Sequence, residues 1–304
     1  MPLVMPAFSL VQPFQRAGAV VLALATVLAL VACDRSDDAH DDADTPISAS
    51  ISYRVAPTHP RILLSNTAAR QNLASNLRMR TPAAERFVTS VDAHLKGHEQ
   101  WGFQAWYAAL LYKLGATGDD RYADVAIERI DKFVSAEENL IAQGKAPVVA
   151  HDSYLLVGET IGDLMLVYDW CFERLSATQK QRWLAYADQA IFNVWNHKKA
   201  RWGDRSAPWT GWANNDPSNN YYYSFLEATM LFGLGAKDEH PRAQYWLDHF
   251  RSTKMERQLI PHFERDLVGG GSREGTGYGT SMGRLFQLYD WWQQSTGENL
   301  ANRT

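Results

Sequence analysis

From Pro57 onward, apolar residues recur at helical spacing and in pairs of segments, and this recurrence restricts the fold more than any motif does. Phe103, Trp106, Tyr107, Leu110, Leu111 and Leu114 fall at i, i+3, i+4, i+7, i+8 and i+11, and Tyr122, Ala126, Ile130 and Phe133 resume the stripe after Gly118-Asp119-Asp120. Such a stripe lays one buried face along an α-helix, and the glycine-containing break makes the two segments a hairpin. A second pair runs from Ile161, Leu164, Met165, Tyr168, Cys171 and Phe172 to Trp183, Leu184, Ala187, Ile191 and Val194, with Ser176 and Gln179 spaced as a capping box between them. Tyr222, Phe225, Leu226, Thr229 and Met230 open a third, continued by Tyr245, Trp246 and Phe250; a fourth begins at Met282, Leu285, Phe286, Tyr289 and Trp292. The corners recur at roughly 55 to 65 residues, a repeat period. No alternating strand pattern competes, so the expected class is all-α. Long irregular stretches separate the hairpins, which open solenoids seldom need, and the expectation is an incomplete (α/α)n toroid.

Those long connections carry the functional information. Residues 196–218 and 260–280 are polar, rich in glycine or proline, and each leads into the first helix of a hairpin. In stacked hairpins all such entries lie at one end of the bundle. Four clusters are therefore expected to converge: His98-Glu99-Trp101, His151-Asp152-Tyr154, Asn219-Asn220-Tyr221 and Arg273-Glu274-Tyr278. Helix N-termini gathered there favour an anion. Trp101, Trp202, Trp209, Trp212 and Tyr221 to Tyr223 crowd the same segments. About half should pack beneath the loops and the rest should be open to the apolar faces of sugar rings.

Several motif readings fail on context. Gly279-Thr280-Ser281-Met282-Gly283 fits a nucleophile elbow, but no strand precedes it and no histidine follows His262. The glycine-rich run from Gly269 lacks the lysine of a phosphate-binding loop. His94 and His98 are spaced as a metal pair without a third ligand, so no metal and no cofactor is expected. The net charge of −4 is carried by the aspartate-rich stretch 34–44 and the remaining body is neutral, so a nucleic-acid partner is not expected.

The N-terminus reads as an address. Residues 17–32 are an uncharged apolar run after Arg16, too short for a comfortable span and apt for an export signal. Leu30-Val31-Ala32-Cys33 resembles the lipobox of bacterial lipoproteins, which implies cleavage, lipidation of Cys33 and attachment to a membrane facing the periplasm or cell surface. The expected organisation is a signal peptide over 1–32, a disordered acidic tether over 33–56 and a helical domain over 57–304.

His59-Pro60-Arg61-Ile62-Leu63-Leu64, Asn219-Asn220 before a helix, and Gly269 to Tyr278 (GGGSREGTGY) together resemble the heparinase II/III-like polysaccharide lyases, over roughly residues 57–304. The resemblance implies an α/α toroid, followed in that family by β-sandwich domains that find no counterpart before Thr304. It also implies β-elimination on a uronic-acid-containing polysaccharide. The Glu274-Gly275-Thr276-Gly277-Tyr278 loop matches the one supplying a catalytic tyrosine. Asn219 fits the asparagine that neutralises the substrate carboxylate, while Asn220 stands where the family has histidine, and His151 is the candidate to fill that role. The implied catalytic set is Tyr278, Asn219, Asn220 and His151, with Arg273, Glu274, Trp101, Trp212 and Tyr221 binding substrate. Two other readings stay open: a two-carboxylate hydrolase drawing on Asp204, Asp216, Glu227 and Glu274, and a non-catalytic glycan-binding or truncated fragment.

Overall fold

The computed structural model describes residues 53–98, 102–115, 118–266 and 279–303, all within the unit Ile51–Thr304. The expected signal peptide, Cys33 and most of the tether lie outside these residues. Described residues are predominantly helical, and their one sheet is a two-residue ladder, Arg201–Trp202 against Arg205–Ser206. The class is all-α. No described helix is long and apolar enough to cross a membrane.

Ten α-helices appear among the described residues. The first two, α1 (Thr67–Arg78) and α2 (Pro82–Leu95), start at the caps Asn66 and Thr81. They form a pair that the apolar pattern did not announce, since α1 buries none of its residues fully. The expected hairpins follow as α3 (Ala105–Lys113) with α4 (Arg121–Ala142), and α5 (Val157–Trp170) with α6 (Ala177–Trp195). Ser176 and Gln179 form the expected capping box. Next come α7 (Asn220–Gly235) and a long helical stretch, α8 (Ala243–Asp248) to α9 (Ile260–Asp266), whose middle, His249–Leu259, is π-helical. Last is α10 (Gly279–Thr296).

The first helices of the hairpins pack side by side in the order α3, α5, α7, α10, backed by α4, α6 and α8. Pairings along them set a parallel direction: Gln104 meets Glu159 near one end and Lys113 meets Glu173 at the other. Close contact of α5 with α7 depends on glycine. A Cβ at Gly158 would lie 2.5 Å from the Ser224 carbonyl oxygen, and one at Gly235 would lie 2.7 Å from the Met165 methyl. Ser224 Oγ also accepts the Gly158 N–H at 2.8 Å, satisfying one free donor of the α5 N-terminus. Trp170, Trp183, Trp246 and Trp292 are all buried in the core between these helices.

The His59 to Leu64 motif fastens the C-terminal ends of α5 and α7. Asp169 accepts the backbone N–H groups of Arg61 and Ile62, each at 2.9 Å, and approaches His59 Nδ1 at 2.5 Å. Arg61 donates to the Gly235 carbonyl at 3.0 Å and pairs with Glu239. Tyr53, inside the segment expected to be a tether, contacts the helical body. Tyr53 packs on Trp292 with ring centroids 4.9 Å apart, and its hydroxyl meets Asp248. These contacts hold Tyr53 to α8 and α10.

Candidate functional site

Parallel packing gathers the N-termini of α3, α5 and α7, and with them the connections that enter those helices. Asn219 caps α7: its Oδ1 accepts the Tyr221 N–H at 3.1 Å, leaving the side-chain NH2 with no hydrogen-bond partner among the described residues. Asn220 is the first residue of the helix and, like Asn219, half-buried. Tyr221 reaches across to the preceding connection, its hydroxyl donating to Asp152 Oδ1 at 3.0 Å. Two of the four expected clusters therefore meet directly.

The second of these clusters is held in an unusual shape. After the exposed His151, three successive non-glycine residues adopt left-handed backbone, Asp152 at φ 46°, Ser153 at 52° and Tyr154 at 63°. Each costs roughly 1–2 kcal/mol through crowding of Cβ against the carbonyl. The run is held by burial of Tyr154, whose hydroxyl accepts the Trp202 indole N–H at 3.2 Å and whose ring lies 5.1 Å from that of Trp209. Strain fixed in this way leaves His151 exposed and Asp152 in reach of Tyr221 at the start of α7.

The aromatic residues of these segments differ in burial. Trp202, Tyr222 and Tyr223 are buried, Trp209 donates to the Asn193 carbonyl at 2.7 Å, and Trp212 is 55% exposed. Trp101, Arg273, Glu274 and Tyr278 lie outside the described residues; the residue after Tyr278, Gly279, starts α10. Ser281 is buried in the first turn of that helix. His94 stacks on Phe103 at 3.7 Å. Among the described residues no three histidine, cysteine or acidic side chains gather to hold a metal ion.

Sequence reasoning did not single out His197 or Lys254. His197 opens the long connection into α7, and its Nδ1 faces Asn214 Nδ2 at 3.2 Å. Gly211 is required beside it, since a Cβ there would come within 2.7 Å of the ring. Burial, aided by Lys198, lowers its pKa below the usual histidine value, which favours the neutral acceptor form. Its position at the head of a long loop was the only available signal. Lys254 follows Phe250 by one helical turn on an apolar face, where a lysine reads as a snorkelling surface residue, yet it is 3% exposed.

Two carboxyl groups on the first helices are also unusual. Asp163 of α5 caps α3, accepting from Ala105 and Trp106 N–H at 2.9 and 2.7 Å; burial nevertheless pushes it up to about 6. Glu227 of α7 lies against the groove left by Gly158 and Gly162 of α5 and keeps part of its surface accessible. Burial, opposed by Arg284 and reinforced by Glu159, pushes it up to about 7. Asp204 and Asp216, the other described members of the hydrolase pool, are exposed. Between α3, α4 and α5 lies a cavity of about 530 Å³ lined by Gln104, Arg129, Glu159, Thr160 and Asp163 among others, a size within the range of small-molecule sites.

Chemically, this end offers the positive ends of helix dipoles, an asparagine NH2, a neutral histidine acceptor and a carboxyl able to hold a proton near neutral pH. No family model matches the chain, and no curated protein or solved structure is significantly similar to it.

Proposed function

We propose that the chain is the helical domain of a polysaccharide lyase that cleaves an acidic, uronic-acid-containing polysaccharide by β-elimination. The observation that carries this reading is the meeting of the Asn219-Asn220-Tyr221 helix start with the strained His151-Asp152 loop through the Tyr221 to Asp152 hydrogen bond. Around it, parallel first helices present N–H groups to one face, suited to a carboxylate. The row α3, α5, α7, α10 would be the inner wall of an α/α toroid, and the protein would be exported and anchored through lipidated Cys33.

In the reaction, a base removes the C5 proton of the uronate, the C5–H electron pair becomes the C4–C5 double bond, and the C4–O bond breaks with its electrons leaving on oxygen. Charge accumulates on the carboxylate as the proton departs, so donors there lower the barrier. Asn219, whose NH2 is left over from capping, and Asn220 would meet that charge. Tyr278 would take the C5 proton and return one to the leaving oxygen, with Arg273 and Glu274 organising its loop. His151 is the outward-facing candidate for the family's histidine, and His197 is a second. Trp101, Trp212 and Tyr221 would supply sugar-binding surface.

The test is turnover of alginate, heparan, chondroitin, hyaluronan and pectic substrates by the full chain, read as ultraviolet absorbance of the unsaturated uronate. Absorbance that rises with the wild type and is lost in Tyr278→Phe is the expected result. A hydrolase reading is favoured by the Glu227 and Asp163 carboxyls, because a general acid needs a raised pKa. It would give new reducing ends without absorbance, lost in Glu227→Gln.

A further inference from the structure

Lys254 is a buried cation without an anion. Its Nζ donates to the Asn214 carbonyl at 3.1 Å, Asn215 Oδ1 at 2.9 Å and Gln258 Oε1 at 3.1 Å, all neutral acceptors, and it lies 4.2 Å from the centre of the Trp195 ring. The side chains and carbonyl in contact with it carry no countercharge. α6 presents Trp195, α7 presents Tyr222, and the connection presents Asn214 and Asn215. Its own segment presents Gln258 and His249, whose Nε2 is buried without a partner. Burial first, and then Lys254, hold the His249 pKa down to about 3, so that ring brings no charge of its own. The acids adjoining its segment and the Asn214-Asn215 connection are engaged elsewhere, Glu256 with Arg251 and Arg303 and Asp216 with Ser218. Among the described residues no carboxylate reaches ion-pair distance of Lys254, and burial pushes its ammonium down to about 7.

An unpaired buried ion costs stability, and replacing it with an apolar side chain would remove that cost. What its position offers is charge beneath the site. Lys254 fastens the connection that ends in Asn219, and Tyr222, in the first turn of α7, donates to Gln258 Oε1 and to the Lys254 carbonyl at 3.0 and 3.2 Å. We propose that the carboxylate of the bound acidic sugar is the counter-ion Lys254 lacks, making Lys254 the charge-selecting and positioning residue of this site. The proposal rests on the acidic-polysaccharide reading. It goes beyond it by assigning selection for negative charge to a residue that never touches the sugar.

Two consequences are linked by reciprocity: an anion over the α7 N-terminus raises the ionisation of Lys254, and protonated Lys254 raises affinity for the anion. Affinity for carboxylated sugars therefore falls as pH rises through about 7.

The experiment is a pH titration of the full chain carrying ¹³Cε-lysine, with the Lys254 resonance assigned by its loss in Lys254→Arg. Titrations are repeated with oligogalacturonate, alginate, chondroitin and hyaluronan oligosaccharides, and with a neutral cello-oligosaccharide. The expected result is an upward move of the midpoint by about one pH unit with a carboxylated sugar, equivalent to about tenfold in affinity, and none with the neutral one. Lys254→Met should lose about that factor, and Lys254→Arg should keep the affinity without its fall above pH 7. A midpoint that no carboxylated sugar moves, or a folded Lys254→Met that binds as wild type does, overturns the proposal. If Lys254→Met does not fold, the wild-type titration decides alone. The absorbance assay separates the two readings: a moved midpoint without unsaturated product keeps the counter-ion and removes the lyase, and product with an unmoved midpoint does the reverse.

Discussion

The two ends of α5 and α7 handle buried charge in opposite ways. At the C-terminal end, Asp169 accepts two backbone N–H groups and meets His59, while Arg61 pairs with Glu239, so most of the charge there has a partner. At the N-terminal end Lys254 has neutral acceptors only, Glu227 has no hydrogen bond among the described residues, and three residues run left-handed. Both ends belong to the same pair of helices, so neither helix propensity nor the quality of the core accounts for the contrast. Strain is present at both ends, at Leu63 and Asp238 as well as at Asp152 to Tyr154, so the difference lies in the pairing of charge.

The largest expected effect sharpens the functional half of this contrast. Tyr278→Phe should reduce formation of unsaturated product by about 10²- to 10⁴-fold, the usual contribution of a positioned acid–base group, with thermal stability unchanged. Equal loss of stability and turnover would make that tyrosine structural.

Asp169→Ala addresses the other half. It leaves the Arg61 and Ile62 N–H groups buried without their acceptor, and His59 with Glu239 as its one remaining carboxylate partner. Breaking such a buried network costs about 3–5 kcal/mol, visible as a lower denaturation midpoint with an unchanged slope. A cost below about 1 kcal/mol would mean the C-terminal end is not the stabilising one. Gly158→Ala comes next, at about 1–3 kcal/mol, because its Cβ would press on the Ser224 backbone that joins α5 to α7. It should also lower turnover by shifting the two N-termini apart.

The pH dependence should separate the ends by sign. Burial alone would lower the His59 pKa, but its bonds to Asp169 and Glu239 outweigh this and raise it. The clasp contribution is then fully present below about 6.5 and is lost as pH rises through the raised folded value. Lys254 runs the other way. With a folded value near 7 against an unfolded one near 10.4, the folded state binds fewer protons between them, so stability rises with pH over that window. Melting temperatures between pH 6 and 10 should show the rise vanish in Lys254→Met and the fall vanish in His59→Gln. Identical profiles for the two variants would break the comparison. The smallest effect is expected of Ser153→Gly, which relieves left-handed strain and should alter stability by less than about 1 kcal/mol in the favourable direction, while lowering turnover if the loop shape orients His151.

Much of the fold was legible in the sequence. The stripes beginning at Phe103, Ile161, Tyr222 and Met282 became α3, α5, α7 and α10, and Ser176 with Gln179 capped α6. These features are local, because 3.6-residue periodicity and a capping hydrogen bond are set within a few residues of chain. The α1–α2 pair was not legible, since α1 buries no residue fully and gives no stripe to read. Of the candidate site, Asn219, Tyr221 and the His151 loop were found from their position before first helices. The hydrogen bond that joins Tyr221 to Asp152 spans 69 residues and could not be inferred from spacing.

What the sequence by itself determined is the helices from α3 onward that carry an apolar stripe, their order in hairpins and the chemistry available in the connections. Tertiary structure decided which charges were left alone. Asp169 and Glu227 are both carboxylates on apolar helices, and only the folded chain gives one of them two backbone donors and the other a glycine groove. Lys254 reads as a surface lysine until residues 195, 214, 215 and 222 close around it. Ionisation depends on solvent exclusion and on neighbours distant in the chain, and neither is a property of a sequence window.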